Sequence, residues 1–468
     1  MVPYMPKQIC SRALLTYLIA LTTVSFVYSK YSMAFGYMIL GVGWISSFFF
    51  LTNYWTTKWQ KTKEQAFLPK IFLIALIMRL IWVVASYYYY IEATGIPFEF
   101  DTADALGYHE EAKWLAGCDW RIIKDYYFGP YSTGVSDVGY PLYLTFVYKI
   151  FGPVIIVPRI FKAFISSYTC VLIYKLASRT FGNEVGKMAA IMTALMPNLV
   201  IYCGYHLKET EMLFIEVAFL ERLDYLVRSR KAQILSLITA SLLALSMFLF
   251  RTVLGCAAIL SFATVALISY TPSMKKGWRR TSIIAWIALF IAILGGGTIQ
   301  NEIEGLWEEK DIQAIEKREE QVSRGNEWAK YATGAVMAPM AFTLPFATMV
   351  NVDNQYSQQT KHGGNYVRNF MGFFAILAVY EAIRRKKWRD FSLIGSFIIV
   401  YLGCVAMSGF SNSERFLLPG LPCLIMMWAY GISTLRARTY KLLFPWCIVV
   451  FLMEVGWAYF KLGSRGLF

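Results

Sequence analysis

The chain of 468 residues is dominated by apolar stretches that are each long enough to cross a lipid bilayer. Hydrophobic residues make up 57% of it and charged residues only 16%, a balance unlike that of a soluble domain. About 20 helical residues span the roughly 30 Å of hydrocarbon in a bilayer. Because backbone that faces lipid must satisfy its own hydrogen bonds, the sequence predicts an all-α integral membrane protein.

The apolar pattern predicts about thirteen transmembrane helices. They lie at 11–28, 33–52, 71–91, 160–178, 186–204, 207–227, 232–250, 252–270, 281–299, 367–383, 391–408, 416–434 and 442–461. The first stretch lacks a small-residue cleavage site and a second stretch follows it closely, so we expect it to remain in the mature protein. The chain then divides into four parts. These are two N-terminal helices in 1–70, a transmembrane core in 71–299, a long loop in 300–366 with an amphipathic or re-entrant segment, and C-terminal helices in 367–468.

Charge distribution predicts how the chain is oriented in the membrane. The net charge is +15, and the lysines and arginines cluster in alternate loops, which the positive-inside rule assigns to the cytoplasm. Residues 92–159 and 300–366 are then extracytoplasmic, and the N-terminus is cytoplasmic. Topology therefore explains the positive charge, and no nucleic-acid partner is expected. Compact loops and the lack of a retention signal favour a bacterial inner (plasma) membrane.

The segment 98–120, directly behind the third stretch, is acidic and aromatic. Carboxylates beside the bilayer on its far side suggest chemistry on a lipid-bound substrate. A helix is predicted from about 102 to 116, with Asp101 as its N-cap and Gly117 as its stop signal. Three- and four-residue spacing puts one set of side chains on the same face of this helix: Asp104, Tyr108, Glu111 and Leu115.

Three further segments between the spans are expected to be helical. Residues 139–151 form an apolar run that ends before Gly152, and we expect a short helix lying in or dipping into the outer leaflet. Residues 335–352, broken by two prolines, look similar. The acidic run 302–320 has helical charge patterning and predicts a solvated outer helix, with acceptor binding as an alternative role.

Several short motifs occur in an order that resembles a known family. They are Asp104-Ala105 with Tyr108-His109 and Ala112, Gly139-Tyr140-Pro141-Leu142, Tyr148-Lys149-Ile150-Phe151-Gly152, Arg159, Phe181-Gly182, Ala194-Leu195-Met196-Pro197, Tyr202, Lys208-Glu209 and Glu414-Arg415-Phe416-Leu417-Leu418-Pro419. This order resembles the GT-C superfamily of membrane glycosyltransferases, which includes protein O-mannosyltransferases and the aminoarabinose transferases of lipid A. The resemblance covers roughly 71–435 and leaves two additional spans before it.

The resemblance implies a fold and a reaction. The fold is a GT-C-like helical bundle of about 13 spans with a small extracytoplasmic cap built from the two long loops. The reaction transfers a sugar from a polyprenyl-phosphate carrier to an extracytoplasmic lipid, glycan or protein acceptor, with inversion. Such a reaction needs a carboxylate general base and cations for the departing phosphate. No soluble cofactor is implied, and a divalent cation is left open.

The resemblance also assigns roles to individual acidic residues. The spacing of Asp104 to Tyr108 and Ala112 matches the family's pattern, so Asp104 is the predicted base and Asp101 the alternative. The structural interpretation is that Asp101 caps the helix and Asp104 favours its dipole. Glu209 corresponds to an acid that faces the first-loop aspartate in relatives. It would position acceptor, water or a divalent ion, whereas a Lys/Glu turn is also typical of an ordinary wet loop.

Substrate-binding roles are predicted for six residues: Arg251, Arg415, Lys208, His206, Tyr108 and His109. Arg251 interrupts an apolar run at the apex of a helical hairpin, where it either holds the carrier phosphate or snorkels to lipid headgroups. Arg415 is the second phosphate candidate, with a local ion pair to Glu414 as the alternative. A lone histidine more often makes an interfacial hydrogen bond than a metal bond, so no metal site is predicted at His206.

Two other functions remain open from the sequence. A transporter or lipid flippase also has many spans, but such proteins usually show repeated halves and mid-membrane charges, and this chain shows no internal repeat. A polymerase or ligase that moves whole lipid-linked glycans differs from a monosaccharide transferase only in donor size. The eight cysteines show no spacing typical of a disulfide framework or a metal site.

Overall fold

The computed structural model describes residues 2–100, 102–129, 136–228, 234–268, 340, 342–352, 355–407, 413–463 and 466–467. Within these residues the regular structure is helical and contains no strand, apart from an isolated bridge between Ser32 and Val350. The all-α prediction is therefore confirmed. All eight cysteines lie in the described part, and all are free.

Sixteen helices, some with an irregular turn inside them, follow one another along the described chain. In order they are α1 Lys7–Val27, α2 Phe35–Lys58, α3 Glu64–Thr94, α4 Ala103–Ala116, α5 Trp120–Phe128, α6 Gly139–Phe151, α7 Ile156–Phe181, α8 Asn183–Leu195, α9 Pro197–Gly204, α10 Glu209–Arg228, α11 Ile234–Phe250, α12 Thr252–Ile268, α13 Tyr356–Arg384, α14 Ser392–Met407, α15 Glu414–Ser433 and α16 Ala437–Gly463.

Seven of these helices are long and apolar enough to cross a membrane: α1, α2, α3, α7, α13, α15 and α16. The pair α8 and α9 passes the same test together but is bent by 53° at its break, which makes up to eight spans. This composition is that of a multi-pass membrane protein. The predicted spans 207–227, 232–250, 252–270 and 391–408 coincide with α10, α11, α12 and α14.

Those four helices do not meet the same test of length and apolar composition in the described part of the chain. The helices α11, α12 and α14 have 17, 17 and 16 described residues, and each of them borders residues outside the described part of the chain. Helix α10 carries several charged residues along its length. The predicted span 281–299 lies outside the described residues. The count of thirteen therefore stays a prediction, and the described part contains seven or eight candidate spans.

Packing brings distant parts of the chain to one centre. Helix α7 packs against α3, α8 and α10, and α13 packs against α2 and α15. The first helix packs against the last, α16, and the segment between α3 and α7 folds as α4 on α6, with α6 against α11. The start of α10, the start of α15 and the first turn of α4 consequently face one another.

A proline sets the geometry near the start of α10. Helix α8 ends at Leu195, and Met196 follows it as the C-cap. The extended backbone of Met196 (ψ 115°) is typical of a residue before proline, and Pro197 opens α9. Gly204, at the end of α9, lies so close to α3 that an added Cβ would lie 2.9 Å from the Trp82 indole nitrogen. The chain then makes a non-helical turn over residues 205–208 before α10 begins.

Local predictions for the segment between α3 and α7 agree well with the structure. The helix predicted at 102–116 is α4, which ends at Gly117 as expected. Its N-cap position is occupied by Thr102 without a side-chain capping bond, and Asp101, the predicted cap, lies outside the described residues. The helix predicted at 139–151 is α6. Helix α5 was not predicted.

The prediction of a short helix at 335–352 is wrong for its described part. Residues 342–352 are non-helical. This backbone is buried, and the Asn369 amide donates to the carbonyls of Thr343 and of Pro345, the latter at 2.9 Å. Such side-chain donors make irregular buried backbone tolerable. The acidic helix predicted at 302–320 lies outside the described residues.

Candidate functional site

Three of the predicted site residues meet in one ion-pair arrangement. The Arg415 guanidinium, at the start of α15, donates from Nη1 to Asp104 Oδ2 at 2.5 Å and from Nε to Glu209 Oε1 at 2.7 Å. Asp104 lies in the first turn of α4, and Glu209 is the first residue of α10. One arginine thus joins two carboxylates from separate helices, which is the arrangement that its rigid fork of donors favours.

The two carboxylates differ sharply in their exposure. The Glu209 side chain is 0% exposed and the Arg415 side chain 27%, whereas that of Asp104 is 51% exposed. A buried carboxylate needs its cationic partner, so Glu209 is a fixed counter-charge. Asp104 is the member of this group that a solute reaches.

Arg251 lies at the break between α11 and α12, as the sequence predicts for the apex of a hairpin. Its side chain packs over the Phe416 ring at 4.2 Å, and Nη1 donates to the Arg415 carbonyl and the Tyr401 hydroxyl, each at 3.4 Å. Arg251 is only 8% exposed. It points into the protein beside Arg415, so the interpretation that it snorkels to headgroups is wrong.

Lys208 is buried beside the same group of charges. Its Nζ donates to the Phe250 carbonyl at 2.9 Å and contacts the carboxylate of Asp137. Burial, followed by the nearby charge of Arg251, lowers the pKa of Lys208 to about 7, while the contact with Asp137 favours the charged form. Residues 205–209 are all buried, so the interpretation of this turn as an ordinary wet loop is wrong.

Tyr108 also adjoins the group, one turn after Asp104 on the same face of α4. Its ring lies edge-on to the Tyr140 ring, with centroids 5.3 Å apart. Burial, followed by the negative charge of Glu209, raises the pKa of Tyr108 to about 12. Tyr108 is therefore a neutral phenol with a hydrogen to donate at neutral pH. The predicted shared face holds for these two residues, whereas Glu111 interacts with Tyr127 instead.

The two predicted histidines lie behind the site. Tyr148 links them, with its hydroxyl 2.8 Å from His109 Nδ1 and 3.2 Å from His206 Nε2. Both histidines are buried. In the described part of the chain, no three His, Cys, Asp or Glu side chains group in a way that could hold a metal ion. The two histidines are thus buried around the Tyr148 hydroxyl, and their substrate-binding role stays a prediction.

We expect the histidine pair to make stability depend on pH. Burial, followed by Lys162, lowers the pKa of His206 well below 6.5, and burial lowers the pKa of His109. Since the unfolded histidines have a higher pKa, their contribution to stability is present above about pH 6.5 and is lost as the pH falls below it. Thermal unfolding at about pH 7.5 and about pH 5.5 measures the loss. His206→Gln should reduce this loss of stability. A loss equal to that of wild type would contradict the role of His206 in the pH dependence.

Glu414 does not pair with its neighbour Arg415, so the alternative of a local ion pair is wrong. The Glu414 carboxylate lies 3.0 Å from Lys361 Nζ on α13 and accepts a hydrogen bond from the Asn198 amide. Arg368, also on α13, donates to the Leu417 carbonyl at 3.1 Å. These contacts hold the start of α15 in place and leave the Arg415 side chain for Asp104 and Glu209.

From the sequence, no role was assigned to four charged residues that are buried near the site. They are Glu99, Arg159, Lys162 and Glu211, all buried. Arg159 and Lys162 lie three residues apart inside the membrane-spanning helix α7. Charged residues inside an apolar span are costly and are retained only with partners. That pattern was the signal available in the sequence.

Comparison of the chain with protein-family models and with curated proteins gives no match. The GT-C resemblance therefore rests on the short motifs and their order. Any function proposed for the chain also depends on the geometry around Arg415.

Proposed function

We propose that this chain is an integral membrane glycosyltransferase that takes its sugar from a polyprenyl-phosphate-linked donor. The acceptor is a lipid, glycan or protein group on the extracytoplasmic face of the inner (plasma) membrane, and the N-terminus is cytoplasmic. A GT-C-like bundle, with a cap to which α4, α5 and α6 belong, would hold the site at that face. The motif order and the charged site together support this proposal.

The observation that carries the proposal is the pairing of Arg415 with Asp104 and Glu209. The motif order selected these three residues from segments that are far apart in the chain, and they are in contact in the fold. A transferase of this kind needs an accessible carboxylate next to phosphate-binding cations. Asp104 is accessible, and Arg415 touches it. Arg251 and Lys208 add two further cations beside them.

The charges around Arg415 are balanced in a way that suggests how a phosphate is received. Three cations, Lys208, Arg251 and Arg415, lie with three carboxylates, Asp104, Asp137 and Glu209. Asp104 and Asp137 are half-exposed, at 51% and 56%, and both come from the segment between α3 and α7, whereas Glu209 is fully buried. An arriving phosphate would displace the two exposed carboxylates and leave Glu209 in place. Displacement frees Asp104 for its role as base.

The atoms and electrons of the proposed transfer step balance with the donor, the acceptor and Asp104 alone. The acceptor oxygen attacks the anomeric carbon, and the bond from that carbon to the carrier phosphate breaks with the electron pair left on the phosphate oxygen. The acceptor's proton passes to the Asp104 carboxylate, which acts as the general base. Attack from the face opposite the departing phosphate inverts the anomeric carbon. Arg415 and Arg251 stabilise the charge that grows on the phosphate. Asp101, the alternative base, lies outside the described residues.

The proposal is tested by transfer from a panel of radiolabelled polyprenyl-phosphate sugars. Purified protein in lipid is incubated with each donor and an extract of envelope acceptors, with and without EDTA. We expect one donor to be consumed with release of polyprenyl phosphate, and the EDTA arm shows whether a divalent cation is needed. Consumption only of diphosphate-linked oligosaccharides would assign the chain to the polymerases and ligases. Movement of the labelled lipid across the bilayer without consumption of any donor would assign the chain to the flippases.

A further inference from the structure

The turn at residues 205–208 is non-helical and buried, and it adjoins the site. It follows the bend at Pro197 and leads directly into Glu209, and it carries Lys208. Its residues make no continuous helix, yet all are buried among helices. Backbone amides and carbonyls in such a place need partners, because neither water nor a regular helix supplies them.

Charged side chains supply those partners. Lys162 Nζ, from α7, donates to the Tyr205 carbonyl at 2.9 Å and also to the Leu207 carbonyl. The His206 amide donates to Glu99 Oε2 at 3.1 Å. Three consecutive residues of the turn are therefore held by two ionic side chains from outside it. Hydrogen bonds to charged groups are roughly twice as strong as neutral ones.

Each of these two side chains has a buried counter-charge. Glu99 Oε2 lies 3.7 Å from Arg159 Nη2, and Glu211 Oε2 lies 3.7 Å from Lys162 Nζ. Arg159 also donates to the carbonyl of Pro97, two residues before Glu99 in the chain, at 2.6 Å. Two positive and two negative side chains thus form a neutral group below the turn. Neutrality is what allows charges to remain this deeply buried.

We propose that Lys162 and Glu99 are positioning residues that set where Glu209 and Lys208 stand at the active site. They act on the turn by binding its backbone, and they do not touch the substrate. This inference rests on the proposed glycosyltransferase function for its kinetic consequence, whereas its structural content stands on the contacts of the turn. Because Glu209 orients Arg415, a displaced turn would misplace the phosphate-binding guanidinium.

The test removes the hydrogen bonds of Lys162 while keeping the region neutral. In Lys162→Met/Glu211→Gln the buried pair is replaced as a unit, so no unpaired charge is left. Lys187→Met/Glu184→Gln is the matched control, because it removes a buried lysine that likewise pairs with a glutamate, at 3.4 Å, and donates to a backbone carbonyl, that of Gln60, which is not part of the turn. Hydrogen–deuterium exchange of peptides covering 203–210 reports on the turn without any assay of activity. Initial rates at saturating and limiting donor give kcat and KM.

We expect the double variant to exchange the amides of 205–208 at least about 10-fold faster than wild type, with other peptides unchanged. Its kcat should fall about 100-fold, since a displacement of roughly 1 Å costs that much. The control should keep both values near wild type. A kcat and an exchange rate that match the control would overturn the positioning role, as would a variant that only lowers the melting temperature.

A second variant covers the case in which the double variant does not fold. Glu99→Gln/Arg159→Met removes the other buried pair as a unit and keeps an acceptor for the His206 amide, so we expect a smaller rise in exchange at the same peptide. No rise there would overturn the inference. If wild type itself transfers no sugar, the proposed function fails, and the exchange data still decide whether Lys162 and Glu99 hold the turn.

Discussion

Asp104→Asn is expected to lower the rate of sugar transfer by about 10²–10⁴-fold, the usual contribution of a general base. It is also expected to bind polyprenyl phosphate more tightly than wild type does. The Asp104 carboxylate pairs with Arg415 Nη1 at 2.5 Å, so an arriving phosphate has to compete with it. Asparagine removes the competing negative charge and leaves the guanidinium free. Loss of turnover together with tighter binding distinguishes a displaced base from a merely structural aspartate.

The matched control for this variant lies on the same helix. Glu110→Gln removes an exposed carboxylate that pairs with Lys113, away from Arg415, and should leave both turnover and binding unchanged. Turnover by Asp104→Asn equal to wild type would keep an enzyme but move the base to Asp101 or Glu209. Weaker binding of polyprenyl phosphate by the asparagine variant would contradict the displacement of Asp104 by the carrier.

Arg415→Gln is expected to have the largest effect on stability. The substitution leaves Glu209, which is 0% exposed, without the guanidinium that neutralises it. Breaking a buried ion pair from one side typically costs about 3–5 kcal/mol. The unfolding temperature in lipid or detergent should therefore fall markedly. The unfolding temperature of Arg415→Lys should fall less. Lysine keeps the positive charge, but it cannot bind Asp104 and Glu209 together as the forked guanidinium of arginine does.

A double variant separates stability from function at this position. Arg415→Gln/Glu209→Gln removes both partners, so most of the lost stability should return. Polyprenyl phosphate should raise the unfolding temperature of wild type but not that of the double variant, which has lost its main phosphate-binding group. A double variant that still binds the carrier would show that the phosphate sits on Arg251 and Lys208 without Arg415. A stable and active Arg415→Gln would remove Arg415 from the site.

Local features were predictable from the sequence because they depend on neighbouring residues. Helix α4 was expected at 102–116 and is Ala103–Ala116, and α6 was expected at 139–151 and is Gly139–Phe151. The stop signal predicted at Gly117 ends α4 there. The number of spans was less predictable, since an apolar run such as 391–408 is helical in the structure, as Ser392–Met407, and helicity alone does not show that a helix crosses the membrane.

Partner choice at the site was not predictable, because it joins residues that are far apart in sequence. Arg415 was expected either to hold a phosphate or to pair with Glu414, yet its partners are Asp104, 311 residues away, and Glu209. Glu414 turns instead to Lys361 on α13. Two adjacent residues on a helix point in different directions, and only packing decides what each of them meets.

The sequence by itself determined the class of protein, an all-α chain made for a membrane, because apolar length and hydrogen-bond satisfaction leave no other fold for such stretches. It also determined which residue types are available for chemistry near Asp104 and Glu209. Only the tertiary structure decided that Lys208 and Glu209 are buried, that Arg415 stands between two carboxylates, and that Lys162 and Glu99 hold the turn beside them. Burial and charge pairing are properties of packed helices, and no local pattern encodes them.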